Sequence, residues 1–125
     1  MLNPNQGYQK IVKKLRRDFK CEINKSDITL KRLKECNMLL LGGPRLPFNA
    51  QELQDIRRYV DEGGKVVIIM AEGGENKLNT NINALLEQVG MSVNTDCVIR
   101  KTFHKYLHPK EAFVGNGCLS EELVK

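Results

Sequence analysis

The chain has 125 residues, of which 41% are hydrophobic and 28% charged, with a formal net charge of +5. That is enough chain for one soluble globular domain with its own core, needing neither disulfides nor metal to fold. The longest apolar run, Val66–Ala71, is far too short for a transmembrane helix, and the opening MLNPNQGYQK lacks the apolar centre of a secretory signal.

The first predicted element is a helix over Gly7–Phe19. Tyr8, Ile11, Val12, Leu15 and Phe19 recur at helical spacing on one face, and Lys10, Lys13, Lys14, Arg16 and Arg17 take the other, with Lys20 just beyond. A basic face of this kind can serve nucleic acid, an acidic protein tail or an anionic membrane. No aromatic residue interleaves with the cations, so a solvated helix face is favoured over a nucleic-acid or membrane surface. FKCEI (Phe19–Ile23) alternates and reads as a short strand. Ser26 or Asp27 is placed to cap a brief helical turn through Leu30 and Leu33.

NMLLLGGP is a continuous apolar run closed by two glycines and a proline, the pattern of a buried strand. Asn49 then opens the clearest helix. Glu52 stands three positions on, as in a capping box, and Leu53, Ile56, Tyr59 and Val60 form its apolar stripe until Gly63 and Gly64 end it. KVVIIM is the next strand. A further helix, capped by Thr80 or Asn81, runs through Ile82, Leu85, Leu86 and Val89 to Gly90, and MSV and CVI are short strand candidates.

Apolar strands alternating with amphipathic helices call for a mostly parallel sheet covered on both faces, an α/β architecture with right-handed crossovers. GGPR (Gly42–Arg45) and EGGE (Glu72–Glu75) then lie at the carboxyl ends of two strands, where open α/β sheets bind ligands.

The chemistry at that edge is sparse. Neither a phosphate loop with its Lys and hydroxyl nor a G-x-G-x-x-G fingerprint occurs. GGPR is the better anion candidate through Arg45, although Pro44 removes a backbone donor. No Ser or Cys follows a strand in an elbow, so covalent catalysis is excluded. Glu72 and Glu75 are three apart in a glycine turn, where carboxylates are usually solvated or cap a helix. His104 and His108 are four apart, but Pro109 disfavours a helix at His108 and no third ligand stands by, so a metal site is not expected. Asn81 and Asn83 offer uncharged hydrogen-bonding groups to a ligand hydroxyl or a partner's backbone. The chain has no Trp and only three Tyr, which leaves a sugar site without stacking faces. Cys21, Cys36, Cys97 and Cys118 fit no zinc spacing and read as buried free thiols in a reducing compartment.

Taken together, GGPR, EGGK, EGGE, TNINALLEQVG, SVNTDCVIR, KYLHPKE and NGCL, in this order and with these gaps, resemble the N-terminal domain of the intraflagellar transport protein 52 family from about Gly7 to Leu119. The resemblance implies a Rossmann-like three-layer sandwich related to class I glutamine amidotransferase-like domains. It implies a non-catalytic interaction domain of a complex B subunit, with other complex B subunits as partners and the cilium or flagellum, ciliary base and cytoplasm as its location. No cofactor, nucleic acid or membrane insertion is implied. The alternative reading, which rests on the shared sheet edge and on distant kinship with sugar-associated proteins, is a small-ligand, sugar-like binding domain with GGPR, EGGE and TNIN lining one pocket, and it is disfavoured. The matching motifs mark Gly42, Gly43, Arg45, Glu72, Gly73, Gly74, Glu75, Asn81, Asn83, His108, Lys110 and Glu111 as the candidate binding surface, with Pro44, Thr80 and Pro109 beside them. His104 departs from the family pattern, which has tyrosine there. The family also places a strand before the first helix and continues into middle and C-terminal regions, so a single α/β domain from a longer multidomain protein is expected.

Overall fold

The computed structural model describes residues 8–101 and 109–110. Two compact units are present, the first running to Thr95 and the second beginning at Asp96. The first holds, in order, α1 (Gln9–Asp18), α2 (Leu30–Leu33), β1 (Met38–Gly42), α3 (Ala50–Asp61), β2 (Lys65–Ile69), α4 (Gly74–Leu78) and α5 (Asn83–Leu86), the last continued by a 3-10 turn over Glu87–Val89. In the second unit the described residues form neither helix nor strand, and the Arg100 N–H donates to the Pro109 carbonyl at 3.0 Å.

β1 and β2 pair in parallel, with Met38 opposite Lys65 and Gly42 opposite Ile69. Side chains alternate across a strand, so Leu39, Leu41, Val66 and Ile68 point into the core. There they join Ile28, Leu33, Phe48, Ile56, Tyr59, Ile82, Leu85 and Leu86. On the other face Met38, Leu40 and Val67 are 51%, 40% and 38% exposed. Among the described residues the sheet is therefore buried on one face and covered on the other only at Gly42, by the Tyr8 ring, not on both as the continuous apolar runs suggest. Continuous runs report strands that can be buried on both sides; they do not supply the second layer.

α3 supplies the best-defined helix start. The Asn49 side chain accepts from the Glu52 N–H at 2.8 Å and the Asn49 N–H donates to Glu52 Oε2 at 3.0 Å, a complete capping box. The other oxygen, Glu52 Oε1, accepts from the Ile28 N–H at 3.1 Å. One turn on, the buried Asp55 accepts from the Leu30 N–H at 2.9 Å and from Gln51 at 2.8 Å. These two carboxylates satisfy the start of α2 from outside. Its flanking residue, Thr29, makes no side-chain cap bond, and neither Ser26 nor Asp27 plays that part. The strand expected over Phe19–Ile23 does not form: that stretch is largely exposed and has no ladder partner among the described residues. Nor do MSV and CVI form strands. Alternation in sequence makes a strand only where a neighbour completes its hydrogen bonds.

Gly63, at φ +91°, and Gly64 end α3. A side chain at Gly64 would overlap the Tyr59 ring, which fills the space between this turn and the core. The Tyr59 hydroxyl donates to the Cys36 carbonyl at 3.1 Å. Burial, together with the neighbouring Cys36 thiol, pushes the Tyr59 phenol above its ordinary value of 10.0. The folded chain thus holds this proton more tightly than the unfolded chain. Stability from this source is intact below about pH 10 and falls as pH rises beyond it. Tyr59→Phe is expected to cost about 1 kcal/mol at neutral pH through the lost hydrogen bond and to flatten that alkaline decline. Urea midpoints from pH 8 to 11 measure both effects, and an equally steep decline in the phenylalanine variant would assign it to another group.

Candidate functional site

The carboxyl ends of β1 and β2 open into two loops that lie side by side. After β1 the chain turns at Gly43 (φ +53°), whose N–H continues the ladder by donating to the Ile69 carbonyl at 2.9 Å. Gly43 and Pro44 are buried, and Arg45, Leu46 and Pro47 are exposed, Leu46 by 73%. Arg45 has no hydrogen-bond or ion-pair partner among the described residues. Phe48 then returns to the core.

After β2 the chain turns through Gly73 (φ +81°) and Gly74 (φ +51°) into α4. Both angles are in the left-handed region that glycine tolerates and other residues adopt at a cost. A Cβ on Gly74 would in addition overlap the Asn94 carbonyl oxygen, so the segment at Asn94–Thr95 lies directly over this turn. Glu72 pairs with Lys77 at 2.6 Å across the turn. The pair is partly solvated, which keeps its contribution to stability at about 0–1 kcal/mol. Glu75 Oε1 accepts from the Asn83 N–H at 2.6 Å, so this carboxylate serves the start of α5.

TNIN is where the two loops are tied down. The Asn81 carboxamide accepts from the Phe48 N–H at 2.7 Å and donates to the Phe48 carbonyl at 2.9 Å. The Asn83 carboxamide does the same to Val93, accepting from its N–H at 2.8 Å and donating to its carbonyl at 3.0 Å. Ile82 between them is helical. Residues two apart on a helical turn point roughly 200° apart, which is how one short segment reaches a loop on each side. Each amide copies the paired donor and acceptor of a strand neighbour, and so satisfies backbone groups that would otherwise be stranded at the loop ends. Thr80 adds a long bond from its hydroxyl to the Leu46 carbonyl at 3.5 Å. Neither Thr80 nor Asn81 caps α5 with its side chain.

The structure thus brings Gly42, Gly43, Arg45, Glu72, Gly73, Gly74, Glu75, Asn81 and Asn83 into one neighbourhood of the first unit. Lys110 belongs to the second unit, and His104, His108, Glu111 and Cys118 lie outside the described residues. Among the described residues no three His, Cys, Asp or Glu side chains converge as a metal site would require. Cys21, Cys36 and Cys97 are free thiols but not buried as expected, the first two being half-buried and Cys97 exposed because the segment around it forms no strand. No described helix is long and apolar enough to cross a membrane.

The chain as a whole is matched by known proteins. The family model of the IFT52 GIFT domain covers residues 1–125. The chain belongs to the IFT52 GIFT domain family. It is 44% identical over 121 residues to the intraflagellar transport protein 52 homolog of Homo sapiens and 41% identical over 121 residues to that of Mus musculus. Each alignment covers 97% of this chain and 28% of the relative, so the chain spans little more than a quarter of the length of these curated relatives. A solved structure of the "mmIFT52 N-terminal domain", 40% identical, superposes with a TM-score of 0.79 over 86% of this chain and 47% of that one.

In this IFT52 GIFT domain, sequence reasoning missed the backbone of Phe48 and Val93 as the partners of the two asparagines, and Leu46 as the apolar residue left in solvent. The N-x-N spacing was the available signal for the first. Nothing local marks Leu46, whose neighbours in GGPRLP suggest only a turn.

Proposed function

We propose that this chain is a non-catalytic structural and interaction domain of an intraflagellar transport complex B subunit, supporting assembly and transport in cilia. Kinship with the IFT52 GIFT domain gives the transport context. The observation that carries the non-catalytic reading is the way the polar groups at the carboxyl edge are used. The Asn81 and Asn83 amides and one Glu75 oxygen are bonded to backbone, and Glu72 is paired with Lys77. What the edge offers outward is Arg45, Leu46 and Pro47 on a loop tied at Phe48, a surface suited to another protein more than to a small molecule. On the same reading the fold is a Rossmann-like three-layer sandwich related to class I glutamine amidotransferase-like domains, with the parallel β1–β2 pair and α3 as its supporting feature. The partners are other complex B subunits, and the protein works in the cilium or flagellum, at the ciliary base and in the cytoplasm.

The test is affinity purification of the tagged full-length protein from ciliated cells, wild type against Arg45→Ala/Leu46→Asp. The double variant is expected to recover markedly less of at least one complex B subunit while its domain melts at the wild-type temperature. Undiminished recovery of every subunit after deletion of the whole domain would sink the assembly reading. A parallel thermal-shift screen of sugars and nucleotides is expected to show no stabilisation at millimolar ligand.

A further inference from the structure

The net charge of this chain is confined to one short segment. Residues 10–20 carry six of the 20 Lys and Arg residues and one of the 15 Asp and Glu residues. The rest of the chain therefore holds 14 of each sign and is neutral, and the whole +5 sits on α1 and its first flanking residues. Lys10, Lys13, Lys14 and Arg17 follow the i, i+3, i+4, i+7 spacing that makes one continuous stripe on a helix. Arg16 and Lys20 flank it, and all six are exposed. Lys20 pairs with Glu22 at 2.8 Å. Lys10, Lys13, Lys14, Arg16 and Arg17 have no ion-pair or hydrogen-bond partner among the described residues. Cations three and four apart repel one another, and the first turn of α1 contains no acidic residue to offset the helix dipole. The first-turn end of the stripe thus works against the stability of its own helix, while Arg16 and Arg17 in the last turn suit the dipole.

We propose that this face of α1 is a docking surface for an acidic, extended peptide segment of a partner protein. The helix is roughly 15 Å long at 1.5 Å per residue, which about five residues of extended chain span at roughly 3.3 Å each. Carboxylates at alternate positions of such a chain repeat every ~6.6 Å, close to the ~5–6 Å between successive cations of the stripe. The orientation of α1 disfavours lipid. The Tyr8 ring lies against Gly42, 3.1 Å from where a Cβ would stand, and Val12 and Leu15 are half-buried. Ile11 and Phe19 on the same side are 41% and 65% exposed, so the apolar side leans on the protein in part, whereas a membrane-surface helix needs the whole of that side for the bilayer. Nucleic acid is disfavoured by the lack of stacking rings among the cations. The inference is independent of the role assigned to the carboxyl edge.

The experiment is fluorescence anisotropy on the full-length protein with a labelled peptide of about six alternating glutamates and its glutamine counterpart. The glutamate peptide is expected to bind at least tenfold more tightly. Its affinity is expected to fall about tenfold between roughly 0.05 and 0.3 M salt, and again about tenfold in Lys13→Gln/Lys14→Gln/Arg17→Gln. Unchanged thermal melting of that variant, or the same trend in Lys13→Gln alone, separates lost binding from lost folding. Equal binding of the two peptides overturns the proposal, as does indifference to the substitutions. Tighter capture of the same residues by phosphatidylserine vesicles or by a single-stranded oligonucleotide also overturns it, assigning the face to that class instead.

Discussion

Alanine at Gly74 is expected to lower the melting temperature of the domain by roughly 15 °C, the largest effect of any single methyl group in the loops at the carboxyl edge. Two costs act at once. The left-handed φ of +51° strains a residue with a Cβ by about 1 kcal/mol. The new methyl also meets the Asn94 carbonyl oxygen and Thr95 Cα, both backbone atoms that cannot swing aside as a side-chain tip would, which adds roughly 1–3 kcal/mol of overpacking. Together they come to about 3 kcal/mol, a large share of the ~5–15 kcal/mol that holds a domain folded. Gly63→Ala is the control, since Gly63 also has positive φ but open space around it; its cost should be about 1 kcal/mol. Circular-dichroism melts of the two variants measure the difference. If they melted within a degree or two of each other, the contact with Asn94 would not be what demands a glycine at 74.

The second large effect is expected at Asn83. Asn83→Leu keeps the branched shape but removes both hydrogen bonds to Val93, leaving a part-buried N–H and carbonyl with no side-chain partner. Stranding the two groups costs about 2–4 kcal/mol. Because the asparagine ties down the segment that covers Gly74, its loss should also open the chain near Val93–Thr95 to proteolysis well below the melting temperature. Asn83→Asp retains an acceptor for the Val93 N–H and loses only the donor, so its melting temperature should fall between wild type and leucine. An aspartate variant as unstable as leucine would mean that the donor half of the clamp carries the whole effect.

These expectations show which parts of the molecule are written locally. The capping box of α3 joins residues three apart, so Asn49 and Glu52 disclose it in the sequence, as Gly63, Gly73, Gly74 and Gly90 disclose their turns. The apolar stripes of α1 and α3 follow from periodicity, and the two parallel strands from short continuous apolar runs bounded by glycines. The start of α2 was not legible, because its caps, Glu52 and Asp55, come from a helix more than twenty residues away. For the same reason Asn81 and Asn83 read equally well as helix caps or ligand groups: a carboxamide's role depends on which backbone the fold brings to it. The alternation at Phe19–Ile23 was misleading because a strand needs a partner that its own residues do not specify. At the carboxyl edge, the position of the loops was legible from the sheet logic, and the use of their polar atoms was not.

The double duty of Glu52 has a consequence for the order of assembly. Its capping box closes a loop of three residues, while its bond to Ile28 closes one of 24 residues. Loop closure grows costlier with length, so the box can form early and hold the carboxylate in place before the upstream segment arrives. The remaining oxygen is then a fixed acceptor onto which Ile28, and after it Leu30 at Asp55, can dock. In this sequence of events α3 nucleates and α2 condenses onto it. Kinetic φ-values should accordingly be high for Asn49→Ala and low for substitutions at Ile28, and the reverse ranking would place the nucleus elsewhere.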